Sequence, residues 1–95
     1  MNYQVKINDS GGGGTIRYSE NDQELPFDWE FAMNGALLFV PAPQFWNNFC
    51  ARNNLPQACD RRDEILKSVS EEVIRQKSPG GKYEIGDAFI SISFG

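Results

Sequence analysis

Apolar and polar residues alternate along most of this chain and change to a helical spacing only in its second half. Tyr3, Val5 and Ile7 alternate with polar neighbours, and so do Ile16 and Tyr18, which predicts two strands joined as a hairpin. Between them Asn8, Asp9, Ser10 and glycines 11–14 break any regular element and predict a flexible tip. Residues 19–26 are polar and acidic and read as a surface connection. Alternation resumes at Phe27, Trp29 and Phe31, a third strand whose Asp28 and Glu30 face solvent. Asn34-Gly35 is then the two-residue turn of a second hairpin, leading into residues 36–40. Leu37, Leu38, Phe39 and Val40 are continuously apolar, which predicts a central strand covered on both faces, by a helix on one side and a partner subunit or loop on the other.

Pro41 and Pro43 end that strand, and Pro43 suits the first turn of a short helix running to Cys50, with Phe45 and Phe49 stacked one turn apart. Asn53-Asn54 interrupts, and Pro56 begins a second helical stretch that merges with, or bends at Asp60 into, a long helix over residues 60–77. There Ile65, Leu66, Val69, Val73 and Ile74 gather on one face, with Asp60 as the expected cap and Asp63 and Glu64 favourably placed in the first turn. Ser78, Pro79, Gly80 and Gly81 stop it. The last segment reads as a hairpin: residues 82–85, a Gly86-Asp87 turn, then residues 88–94 with Ile90, Ile92 and Phe94 on one face and Phe89 on the other. The order β-β-β-β-α-β-β predicts an α+β domain spanning residues 1–95, a largely antiparallel sheet with one long amphipathic helix packed on one face.

Composition narrows the function classes. At 95 residues with 40% hydrophobic and 13% aromatic residues, the chain has apolar area for one core and no need of a metal or disulfide frame. A net charge of -4, with nine scattered Lys and Arg, argues against nucleic acid as a partner and suits a basic protein or simple solubility. No run approaches the roughly 18 apolar residues of a membrane span, and the chain starts in a strand pattern, so a cytoplasmic location is expected. Cys50 and Cys59 match no paired-thiol metal spacing, and no cofactor or metal is expected.

Candidate chemistry is sparse. There is no histidine, the commonest general base and metal ligand. The glycine run lacks the Lys and Ser or Thr of a phosphate loop and leads into a strand. Cys59, beside Arg61, Arg62 and a helix start, is the position that best meets the conditions for an activated thiol. Asp28 and Glu30 share a strand face and could hold a cation or a proton if buried. The aromatic residues Trp29, Phe31, Phe45, Trp46 and Phe49 suit recognition as well as core packing, and Trp46, at a loop-to-helix junction, is expected to keep its ring partly exposed. Trp46, Phe45, Phe49, Arg61 and Arg62 are therefore the expected partner-binding residues.

An apolar strand, a Pro-flanked segment containing Trp46, and Arg61, Arg62, Glu64, Ile65 and Leu66 opening an amphipathic helix make up residues 36–74. This block, about half the chain, resembles small bacterial α+β proteins of unassigned function, some of which look like predicted immunity proteins of toxin systems. The resemblance implies a cytoplasmic, non-enzymatic protein that binds another protein and carries no catalytic residues across. The expectation is a protein-binding module, immunity-like or regulatory. Two alternatives stand beside it. One is a small-molecule-binding domain or minor enzyme using Cys59 with Arg61 and Arg62, or Asp28 with Glu30. The other is a subunit of a homo-oligomer, suggested by the apolar strand 37–40 and the apolar final strand.

Overall fold

The computed structural model describes residues 3–94. Among them six strands form one open antiparallel sheet: β1 (Gln4–Asp9), β2 (Gly13–Glu20), β3 (Gln23–Ala32), β4 (Gly35–Phe39), β5 (Lys82–Ile85) and β6 (Phe89–Ser93). Their order across the sheet is β1-β2-β3-β4-β6-β5. The first four strands are neighbours in sequence and in space, whereas β6 returns to lie between β4 and β5. A layer made of α1 (Pro43–Arg52), a 3-10 turn at Pro56–Ala58 and α2 (Arg62–Lys77) connects β4 to β5 and covers one face. The α+β class and the long helix packed on a single face agree with the sequence pattern.

Alternation along each strand sorts residues between the two faces. Val5, Ile16, Tyr18, Leu25, Phe27, Trp29, Ala36, Leu38, Ile90 and Ile92 point inward and are buried. Against them α1 and the segment after it bring Trp46, Cys50, Leu55 and Ala58, and α2 brings Ile65, Leu66, Val69 and Val73. The sheet is not flat. Near its C-terminal half α2 meets strands from both edges: Gln76 Nε2 donates to the Val5 carbonyl of β1 at 3.1 Å, and the Tyr83 hydroxyl of β5 donates to Glu71 at 3.4 Å. The sheet therefore curls around α2, and its outer face is convex, consistent with the twist of antiparallel sheets.

Several local expectations need correction. Residues 19–26 are not a loose connection. β2 continues to Glu20 and β3 begins at Gln23, joined by Asn21 and Asp22 at φ 51° and 66°, the paired left-handed conformation of a type I′ hairpin turn. Pro26 is accommodated in β3 because β4 pairs only from Asp28 onward, so nothing is hydrogen-bonded to β3 on that side at Pro26. Glycines 13 and 14 belong to β2, and the loop before it is Ser10-Gly11-Gly12 with Gly11 at φ 83°.

The β3-β4 link is Met33-Asn34, one residue earlier than expected, with Asn34 at φ 60°. Gly35 instead opens β4, and a Cβ there would sit on the Ile92 carbonyl oxygen of the adjacent strand. The β5-β6 turn is likewise centred on Asp87-Ala88, closed by the Gly86 amide donating to the Phe89 carbonyl at 2.9 Å, and Gly86 does not take positive φ. β4 is central but covered on one face only: Ala36, Leu38 and Val40 are buried, while Phe39 is exposed and Leu37 partly so. α1 extends two residues past Cys50. α2 starts at Arg62, after Arg61 rather than Asp60, and no side chain caps it. No helix among the described residues is long and apolar enough to cross a membrane.

Candidate functional site

The helical layer brings the residues singled out by the sequence into one neighbourhood but uses them for different purposes. In α1 two i, i+4 pairs compete for the inward face, Trp46 with Cys50 and Phe45 with Phe49. The first pair is buried. Trp46 is 1% exposed, stacks nearly parallel to Phe27 of β3 with centroids 6.4 Å apart, and donates its indole N–H to the Ala58 carbonyl at 2.9 Å. Phe49, half-buried, leans on both rings at 5.5 Å. This overturns the expectation of a partly exposed Trp46: the ring is a hub of the core, joining α1, β3 and the 3-10 turn. Phe45 points outward and is 59% exposed.

The two arginines are equally committed. Arg61 holds Glu20 through NH1 at 2.9 Å and NH2 at 3.1 Å, and it holds Glu64 through Nε and NH2 at 3.1 and 2.9 Å. Glu20, at the end of β2 and 6% exposed, also accepts the Tyr18 hydroxyl at 2.6 Å. Hydrogen bonds from Arg61 hold the Glu20 carboxyl below the usual range, despite the opposing effect of burial. Burial, aided by the hydrogen bond to Glu20, raises the Tyr18 phenol. Arg62 lies 6.0 Å from the Trp46 ring centroid and reaches across the domain to backbone oxygens: Nε and NH2 donate to Pro41, and NH2 to Asp87 at 2.8 Å. It ties the strand-to-helix link after β4 to the β5-β6 turn.

Pro43, Trp46, Cys59, Arg61, Arg62 and Glu64 line a shallow cleft of about 410 Å³. Its cations are spent on Glu20, Glu64 and backbone carbonyls. Cys59 is a half-buried free thiol, while Cys50 is fully buried and its thiol is pushed up to about 11, chiefly by burial. The arrangement stabilises the junction of sheet and helices and offers an anion no uncommitted fork. Asp28 and Glu30 do not form a buried acid pair; both are exposed on the outer face of β3.

That outer face carries a surface foreshadowed by the apolar run 37–40, although which of its residues face outward and which strand lies beside them were not legible. Phe39 of β4 is paired with Phe89 of β6, and the two are 43% and 47% exposed. Leu37 follows on the same face of β4, beside Ser91. Asp28 flanks Phe39 and Glu30 flanks Leu37 on the β3 side, and Glu84 of β5 flanks Ser91 on the other. The result is an apolar ridge along the convex face with carboxylates on both sides, and Lys82 beside Ser93 at one corner. The signal was present in residues 36–40, but a continuous apolar run conceals which alternate positions remain outside. No family model, curated protein or solved structure matches this chain.

Proposed function

We propose that the chain acts by binding a basic protein partner on the convex outer face of its sheet, in an immunity-like or regulatory role in the cytoplasm. The observation that carries this reading is the ridge of exposed Phe39 and Phe89 and half-buried Leu37, flanked by Asp28, Glu30 and Glu84. Exposed aromatic residues at the centre of a patch provide most of the affinity of an interface, and a charged rim selects the partner and speeds encounter. A convex ridge with carboxylates along its margins fits a concave basic surface, the kind of cleft in which proteins acting on nucleic acid hold phosphates. A second copy of this chain suits the face less well, because it would set acidic rims against each other. Asp28 and Glu30 are then recognition groups rather than catalytic ones, and Trp46, Arg61 and Arg62 support the fold beneath.

The test is capture of partners from lysate of the source organism by the tagged chain, by its Phe39→Ser/Phe89→Ser variant and by its Asp28→Lys/Glu30→Lys variant, with circular dichroism on each. The reading expects a basic protein retained stoichiometrically by wild type and lost from both folded variants. A partner held equally by both variants, or dimerisation through this face in sedimentation, would overturn it.

A further inference from the structure

A second feature lies on the opposite side of the sheet. Beyond Val73 the core-facing stripe of α2 ends, and one helical turn later its next inward position is Lys77. The Lys77 ammonium is held outward by Asp9, so its stem lines the space without filling it. The inner faces of β1 to β4 continue past that point, and a cavity of about 190 Å³ remains, walled by Ile7, Ile16, Trp29, Ala36, Leu38 and Val73. Phe31, Phe94 and Lys77 complete it at its exposed rim. The lining is almost wholly hydrocarbon and aromatic. Trp29 and Phe31 meet edge to face at 4.8 Å, and Phe31 and Phe94 do the same at 6.5 Å. The Trp29 indole N–H is already given to the Asn8 carbonyl at 3.2 Å, so it presents no unpaired donor to the space.

We propose that this cavity binds a small uncharged molecule with a hydrocarbon body about the size of one benzene ring and a single hydroxyl-type head. Size follows from volume: apolar cavities of roughly 150 Å³ stay dry and admit benzene. The neutral head follows from Lys77 at the rim and from Asp9, which does not line the cavity but is bonded to the Lys77 ammonium. Lys77 Nζ is paired with Asp9 Oδ2 at 3.1 Å, so an ammonium and a carboxylate stand together. An anionic head gains the Lys77 charge but meets that of Asp9, and a cationic head meets the reverse. A hydroxyl can accept from one and donate to the other. The site is distinct from the outer face, since its walls belong to the opposite side of the same strands.

The test uses benzyl alcohol, with benzoate and benzylammonium as charged analogues, followed by methyl chemical shifts in the full chain. Benzyl alcohol is expected to shift the methyl signals of Ile7, Ile16, Leu38 and Val73 saturably, with a Kd on the order of 1 mM, and the two ions to bind at least about fivefold more weakly. Ala36→Leu, which builds side chain into the cavity, should abolish those shifts. Asp9→Asn lies on the surface and leaves Lys77 without its carboxylate; it should raise benzoate affinity by about fivefold, the scale of an exposed ion pair. Absence of saturable shifts in wild type would overturn the proposal. So would shifts that survive Ala36→Leu in a folded protein, or a benzoate affinity indifferent to Asp9→Asn.

Discussion

Arg61 grips both carboxylate oxygens of Glu20, 41 residues earlier in the chain, and so fastens the β2-β3 hairpin to the start of α2. The carboxylate side chain is 5% exposed and the guanidinium 20%, so neither has ready recourse to water. Glu20→Gln leaves Arg61 facing a neutral amide in a partly dry site. The expected cost is about 2–3 kcal/mol, read as a lower urea midpoint with an unchanged slope.

Two separate ion pairs and one phenol shape the pH dependence of the fold. Glu20 and Glu72 are both held below the ordinary carboxylate value of 4.5, by hydrogen bonds from Arg61 and Arg75 respectively. A depressed folded-state value means the unfolded chain takes up protons first. The stabilisation is thus present above about pH 4.5 and is lost as pH falls through the lower folded value. Tyr18 works in the opposite sense. Its raised phenol contributes stability below pH 10, lost as pH rises toward the folded value. Urea melts from pH 3 to 11 should show both declines, the acid one shallower in Glu20→Gln and the alkaline one shallower in Tyr18→Phe.

Trp46→Ala should unfold the domain rather than remove a contact surface. Truncating a fully buried indole costs about 3–5 kcal/mol and orphans the Ala58 carbonyl it serves. Trp46→Phe keeps most of the stacking on Phe27 and should cost about 1–2 kcal/mol. Thermal melts of the two variants separate these effects, and a Trp46→Ala protein as stable as wild type would contradict the packing described.

Arg62→Lys retains the charge but loses the planar fork that reaches Pro41 and Asp87 together. The expected loss is about 1–2 kcal/mol. It should be felt locally, as faster hydrogen exchange at the Val40 amide, which donates to Ala88 in the turn that Arg62 secures.

How far the fold could be read from the residues differs from element to element, and each difference has a physical cause. Alternation at Phe27 and Trp29 and the periodic stripe of α2 were legible because local spacing and burial agree there. The extension of β2 was hidden by Glu20, a charge at an inward position that is acceptable only because Arg61 arrives from far along the chain. The β3-β4 hairpin was legible but displaced by one residue, since Gly35 is required by the nearness of Ile92 rather than by a turn. In α1 both i, i+4 pairs have helical spacing, and it is the tertiary partners, Phe27 and the Ala58 carbonyl among them, that select Trp46 for the interior. The outer ridge was the least legible feature, because its definition depends on β6 lying next to β4.

That placement of β6 governs when the domain can exist during synthesis. β1 to β4 can pair as soon as each leaves the ribosome, but β5 has no strand to join until β6 has followed it, because β6 is its sheet partner. Up to residue 85 a nascent chain carries β4 with an unpaired inner margin and α2 with part of its apolar stripe unmet. Such a margin is a site for wrongful pairing with other chains. Completion of the fold is therefore deferred to the emergence of Phe89–Ser93, and a chain interrupted before those residues is a natural target for chaperones and proteases.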